Sequence, residues 1–509
     1  MSATVPAPEK TGVRTLRNYV GGRWVDSSSS DLLDVTNPAT GEVLARVPLS
    51  SKEELDEAAK TARAAFQSWR KVSVIERTRW LYDIRQAFTE RLDDIAASIT
   101  REMGKTYPDA QAEVARSIEN IEAACGVPTM MQGKILEGVA TAIDAETIRQ
   151  PVGVVGNIVP FNFPAMVPFW FLPYAVACGN AYVLKPSEQV PMTQALMWEI
   201  MDEVGGLPAG VINLVNGAVD VVNAMLDSPD IDAISFVGSA KTAAYIYRRS
   251  AENGKRVQAL GGAKNHMIVM PDALMDKTAD NIIGSAFGAA GQRCMAGSVV
   301  VAVGDAKGPL FDALIPKVKA LTVGDGMEKG INVGPVVSTA ARDRILGMIE
   351  KGVDAGATLA VDGRKPGGDP NGAYIGPTII DGVTPDMEVA QEEIFGPVLT
   401  VLHADSLEHA IDIVNGTRYG NGTSIFTESG AAVRRYRADV QVGMIGVNVG
   451  VAAPVGFFPF TGWKDSFFGD THAQAGDAVD FYTRKKTVTT RWFSGGPTGK
   501  FFVEQGDTH

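Results

Sequence analysis

From Pro151 the sequence alternates short β-branched runs with longer amphipathic ones: VGVVGNIV, ALMWEIMDEVG, VINLVNG, then AISFVGS running into AKTAAYIYRRSAENG. Strands separated by helical stretches cannot pair as tight hairpins and need crossover connections, so the rhythm predicts a parallel sheet covered by helices. It resumes in HMIVMP, SVVVAV, LFDALIPKVKAL, RDRILGMIEKGVDAGATLAV and SIFT, which predicts a second α/β unit. A length of 509 residues agrees, because one hydrophobic core stops growing well before that size. No internal repeat or low-complexity tract interrupts the pattern.

The region before Pro151 reads as helical. Ser51 stands three residues before Glu54, a capping box, and Leu55, Ala58, Ala59, Ala62, Ala65, Phe66 and Trp69 then fall on one helical stripe. Two further helical stretches are expected over ERTRWLYDIRQAFTERLDDIAASITREMG and PDAQAEVARSIENIEAACG. GKILEGVATAIDAETIRQP and the C-terminal VDFYTRKKTVTTRWF read instead as extended excursions. Such arms either add strands to a neighbouring subunit's sheet or fold back as a hairpin within one chain.

Composition excludes several classes. A formal charge of -12 repels nucleic acid and anionic membranes. The longest apolar run, AMVPFWFLPYAVACG, contains two prolines and is shorter than the roughly 20 residues a bilayer span needs. Cys125, Cys178 and Cys294 are too far apart for a CxxC or zinc spacing, and the five histidines, His266, His403, His409, His472 and His509, show no ligand spacing, so no metal is expected. The first 24 residues lack the apolar core of a secretory signal. A soluble, cytoplasmic protein is expected.

Five short motifs carry candidate chemistry. GAAGQRCMAG surrounds Cys294 with small residues that let a substrate approach, and Arg293 beside it could lower the thiol pKa or hold an anion. IVPFNFP ends a strand with Asn162, an amide that can donate to an oxyanion. In NAYVLKPSEQVP, Lys185 and Glu188 follow a strand at the edge where open α/β sheets bind nucleotides. In ISFVGSAKTAAYI a strand runs into Gly238, Ser239 and a helix, which aims backbone N–H groups at a phosphate, although there is no GxGxxG. EEIFGPVL offers Glu393 as a second ribose acceptor.

In this order, PFNFP, VLKPSE, FVGS, GQRC and EEIFGPV closely resemble the aldehyde dehydrogenase superfamily, over nearly the whole chain. The resemblance implies a Rossmann-like NAD domain (residues 1–132 and 151–259), an α/β catalytic domain (260–476), and an oligomerisation arm and tail (133–150 and 477–509). It further implies that Cys294 is the nucleophile and that Asn162 with the Cys294 backbone N–H forms the oxyanion hole. Val159, Phe161, Lys185, Glu188, Ser239, Gly261 and Glu393 then touch NAD. A homotetramer, built as a dimer of dimers, or a dimer follows from the same resemblance, and the sequence does not choose between them.

One departure is informative. Hydrolytic members carry a glutamate in an ELGG motif that activates water, whereas this chain reads VQALGGAKNH with Ala259 in that place. Alanine cannot act as a general base, so the thioester should await a thiol such as coenzyme A. GGAKNH, GQRCMA and PFTGWKDSFFGD resemble the CoA-acylating methylmalonate-semialdehyde dehydrogenase branch. That branch implies decarboxylating oxidation of methylmalonate or malonate semialdehyde to propanoyl-CoA or acetyl-CoA, with Arg116 and Arg293 gripping the substrate carboxylate. The reading covers both substrates, since one methyl group changes pocket energy by only about 1 to 3 kcal/mol. Two alternatives stand beside it: a hydrolytic enzyme using another base, and a nucleotide-binding scaffold without catalysis.

Overall fold

The computed structural model describes residues 13–493. The first half of the segment read for a signal and the end of the tail, residues 494–509 with His509, lie outside the described residues.

Five strands form the parallel centre of the first sheet: β1 (Val154–Ile158), β2 (Ala181–Lys185), β3 (Ile212–Leu214), β4 (Ala233–Val237) and β5 (Arg256–Leu260). β1, β2 and β4 are buried along their whole length, which is why their sequences show no polar alternation: helices cover both faces. The eight-stranded order is Phe467–Phe468, β5, β4, β1, β2, β3, Asn18–Val20, Arg23–Val25. The chain therefore runs outward from β1 to β3, jumps back across β1 to β4, and continues to β5. At the β1/β4 reversal the crossovers leave in opposite directions, and the crevice beyond the carboxyl ends there is where such sheets bind ligands.

The second sheet has seven strands, with Asn265–Val269 flanked by Gly297–Val303 and Gly422–Phe426 in parallel register. Only its edge strand Thr358–Val361 pairs antiparallel. The chain returns to the first sheet late, where Phe467 and Phe468 pair with Leu260 and Ala259.

The helical expectations are met in detail at Lys52–Trp69, where Ser51 and Glu54 form the reciprocal capping box and the apolar stripe is buried. The second stretch is two helices, Val74–Glu90 and Leu92–Met103, because Arg91 leaves helical geometry (φ -106°, ψ 17°) and its guanidinium turns to Asp94 in the first turn of the next helix.

Ile135–Ala140 and Ile143–Pro151 form a hairpin, and the second of these pairs antiparallel with Thr483–Arg491. The C-terminal excursion begins later than its sequence suggests. Ala475–Tyr482 is a helix, so Val479–Tyr482 is not extended. Burial decides this: Val479, Phe481 and Tyr482 are covered, and the Tyr482 hydroxyl meets Ser235 Oγ at 2.8 Å and accepts from Gln258 Nε2 at 3.1 Å beneath the first sheet. Among the described residues no helix is long and apolar enough to cross a membrane.

Candidate active site

Cys294 follows a tight loop. The helix Met275–Phe287 stops, and Ala289 and Ala290 adopt left-handed backbone (φ 48° and 52°), a conformation that costs a residue with a Cβ about 1 to 2 kcal/mol. Asp109 holds the loop by accepting from the Ala289 N–H at 3.0 Å and from Arg293 Nη2 at 2.7 Å. Gly291 is required where it stands, because a Cβ would meet the Gly396 carbonyl at 2.0 Å. The Cys294 carbonyl accepts from Asn265 Nδ2 at 2.8 Å and Asn421 Nδ2 at 2.9 Å, which fixes the cysteine's backbone to the second sheet.

Asn162 lies just beyond the carboxyl end of β1 and is buried. Its Nδ2 donates to the Gln292 carbonyl at 3.0 Å, and the second amide N–H remains to serve an oxyanion. Its own carbonyl accepts from Lys105 Nζ at 2.7 Å. Lys105 pairs with Glu113 at 2.6 Å, both side chains being fully buried. Asp109, Lys105 and Glu113 were not among the residues the sequence pointed to. The available signal was Glu113 on the buried stripe of the Tyr107–Ala124 helix, alongside Ala110, Val114, Ser117 and Ile121.

Two cavities meet at Cys294. The larger, of about 600 Å³, opens at the β1/β4 reversal and is lined by Val159, Phe161, Lys185, Glu188, Ser239, Gly261 and Glu393. The structure thus brings together all seven residues expected to touch NAD. Lys185 Nζ bonds Glu188 Oε2 at 2.6 Å, and Ser239 caps the helix Ala240–Glu252. Gly261 has no room for a side chain, since a Cβ would lie 2.5 Å from the Asp465 carbonyl. A reversal crevice, a helix N-terminus and a carboxylate at the next strand end fit a dinucleotide.

Burial sets the electrostatics of this cavity. It pushes the Glu393 carboxyl up to about 7, against the pull of Lys264 and Arg344. It pushes the Lys264 amine down to about 7, with Nζ held by the carbonyls of Val389 at 2.7 Å and Glu392 at 2.8 Å. The Cys294 thiol is pushed up to about 12, first by burial and then by the charge of Glu393, while the backbone N–H groups of Cys294 and Met295 and the Arg293 charge pull it back. Ala259 is buried on β5 in the apolar cluster of Ile158 and Phe236 and offers no base.

The smaller cavity, of about 200 Å³, is lined by Arg116, Arg293, Lys105, Phe163 and Trp170 among others, and again by Cys294. Both candidate arginines reach it, each already paired. Arg116 Nη1 bonds the two Glu119 oxygens at 3.0 and 2.8 Å, and Arg293 is held by Asp109. Among the described residues no cluster of metal-ligating side chains occurs. His266 bonds the Lys264 carbonyl at 2.8 Å, and burial pushes its pKa down to about 4, so it is neutral.

The Aldehyde dehydrogenase family matches residues 24–488. Malonate-semialdehyde dehydrogenase 2 of Geobacillus kaustophilus (strain HTA426) is 51% identical over 483 residues, covering 95% of this chain and 100% of that protein. The protein of the same name from Bacillus mycoides (strain KBAB4) is 49% identical, covering 94% and 99%. Among solved structures, methylmalonate-semialdehyde dehydrogenase of Oceanimonas doudoroffii superposes with a TM-score of 0.93 at 44% identity, covering 95% of this chain and 99% of that one. A chain from Sinorhizobium meliloti 1021, described as a methylmalonate-semialdehyde dehydrogenase and solved complexed with NAD, gives 0.93 at 42% identity, covering 96% and 99%.

Proposed function

The chain belongs to the aldehyde dehydrogenase family, and from that premise we propose that it oxidises methylmalonate or malonate semialdehyde with NAD and delivers the decarboxylated acyl group to coenzyme A. The observation that carries this reading is the position of Cys294 at the meeting point of a dinucleotide-sized cavity and a small arginine-lined one, with alanine at 259 where hydrolytic relatives carry their base.

Once its proton has passed to solvent, the Cys294 thiolate attacks the aldehyde carbon through Sγ, and the oxygen that becomes an alkoxide takes hydrogen bonds from Asn162 Nδ2 and the Cys294 backbone N–H. NAD, held by Lys185, Glu188, Ser239 and Glu393, supplies the hydride acceptor when bound. The product on the protein is a thioester of Cys294. Arg116 and Arg293 orient its distal carboxylate. When that carboxylate leaves as carbon dioxide, the bonding pair moves into an enolate whose oxygen Asn162 stabilises, and protonation at carbon completes the acyl group. The coenzyme A thiol then attacks the thioester and frees Cys294, so the kinetics are ping-pong.

In this reading residues 1–132 and 151–259 form the NAD-binding unit, 260–476 the catalytic unit, and 133–150 with 477–509 the arm and tail. The arm supports assembly with further copies, as a homotetramer or a dimer: every residue of Ile135–Ala140 is exposed on an outer edge strand, including Ile135, Leu136 and Val139. The protein works in the cytoplasm, where its free thiols stay reduced.

The test is NADH formation from malonate semialdehyde with and without coenzyme A, with products identified by mass. Steady turnover that requires coenzyme A and yields acetyl-CoA is expected. Equal turnover to a free acid without coenzyme A would overturn the acyl-transfer step.

A further inference from the structure

Three of the four carboxylates on the Tyr107–Ala124 helix are each bound both to a cation of the small cavity and to the backbone of a different loop. Asp109 joins Arg293 to the Ala289 N–H at 3.0 Å. Glu119 joins Arg116 to the Gly456 N–H at 2.6 Å. Glu113 joins Lys105 to the N–H groups of Ala165 at 2.8 Å and Met166 at 3.1 Å. The third is the one buried completely.

We infer that Lys105 and Glu113 are positioning residues for the oxyanion donor: the pair grips the main chain at Asn162 and again three and four residues after it, and so sets where its amide points. Lys105 Nζ holds the Asn162 carbonyl at 2.7 Å, while Glu113 Oε1 holds the amides three and four residues on. The intervening Phe163 ring packs under the ammonium at 4.0 Å. Pro160 and Pro164 offer no backbone N–H on either side of this three-residue segment, so side-chain anchors add to what fixes it. Stability alone does not account for the arrangement, because a buried ion pair is commonly matched by apolar residues of similar volume. What apolar residues cannot supply is a directed bond to one carbonyl and two amides.

This inference rests on the activity proposed above, and the experiment separates the two. NADH bursts would be recorded by stopped flow for the full-length protein, E113Q and the double variant K105M/E113L, with malonate semialdehyde and with propanal. Misplacement of a reacting group by about 1 Å costs on the order of 100-fold in rate. E113Q is therefore expected to slow the burst about 10-fold to 100-fold with both aldehydes, leaving KM for the aldehyde, the Kd for NAD and the shape of the pH profile unchanged. The double variant is expected to regain the parent's thermal midpoint while its burst stays slow, a separation that a merely structural pair would not give. A double variant that recovers both midpoint and burst rate overturns the positioning role and leaves the activity standing. A parent that forms no NADH with either aldehyde overturns both.

Discussion

Asn162 Nδ2 donates to the carbonyl oxygen of Gln292 at 3.0 Å, which ties the end of β1 to the loop two residues ahead of Cys294. The contact uses one N–H of the amide and orients the other, so the proposed donor and the proposed nucleophile are set relative to each other before any substrate arrives. Asn162→Ala removes the proposed oxyanion donor and the hydrogen bond to the Gln292 carbonyl. The NADH burst is expected to fall about 100-fold to 1000-fold, the loss typical of one oxyanion-hole donor, with little change in KM. A burst within about 3-fold of the parent, measured by stopped flow, would remove Asn162 from the mechanism.

The Cys294 thiol, pushed up to about 12 by burial and by Glu393, is protonated at neutral pH in the protein without NAD. Its thiolate fraction then grows tenfold per pH unit, so alkylation by iodoacetamide should climb from pH 7.5 to 10 without a plateau. Glu393 titrates near 7. As pH falls through that value the carboxylate takes a proton, the charge opposing thiolate formation disappears, and the slope should become shallower. In Glu393→Gln that charge is absent throughout, so alkylation should be faster at every pH above 7 and the change of slope should vanish. A plateau below pH 9 in the parent would contradict this electrostatic account.

Arg293 is the better shielded of the two cavity arginines, with a side chain 19% exposed against 43% for Arg116. A charge-assisted bond to a substrate carboxylate is worth about 1.5 to 3 kcal/mol, and more where water is excluded. Arg293→Leu should accordingly raise KM for malonate semialdehyde about 10-fold to 100-fold, and Arg116→Leu by less. Propanal, which has no carboxylate, should show near-parental KM in both. Equal effects on the two aldehydes in steady-state assays would mean that the arginines shape the cavity without recognising charge.

The fold was legible where one signal governed it. Buried parallel strands such as VVGNI and AYVLK declare themselves by short runs rich in β-branched and apolar residues, and Ser51 with Glu54 marks a helix start through local hydrogen bonds alone. The placement of Cys294, Asn162 and the seven residues expected to touch NAD around the two cavities could be anticipated because each belongs to a short motif. The helix ending at Tyr482 was not, because its β-prone VDFY is held helical by distant partners, Ser235 and Gln258. Lys105 and Glu113 were invisible for a related reason. A charged side chain reads as solvent-facing until the partners that neutralise it are known, and here those partners lie up to 57 residues away in Asn162.

Glu188 lies three residues after the end of β2 and holds Lys185 Nζ at 2.6 Å, with the carboxylate about a third exposed on the wall of the larger cavity. A carboxylate at that strand end accepts from a ribose 2'-hydroxyl and repels a 2'-phosphate, so NAD should be strongly preferred over NADP. Glu188→Gln keeps the shape and an acceptor oxygen, removes the repulsion, and frees the Lys185 ammonium to meet a phosphate. The ratio of kcat/KM for NADP to that for NAD should rise about tenfold, equivalent to about 1.4 kcal/mol. Lys185→Met should act oppositely, lowering activity with both cofactors without improving NADP. If Glu188→Gln leaves the ratio unchanged in initial-rate assays, the selectivity comes from the shape of the cavity and the Lys185–Glu188 pair serves only to hold the end of β2.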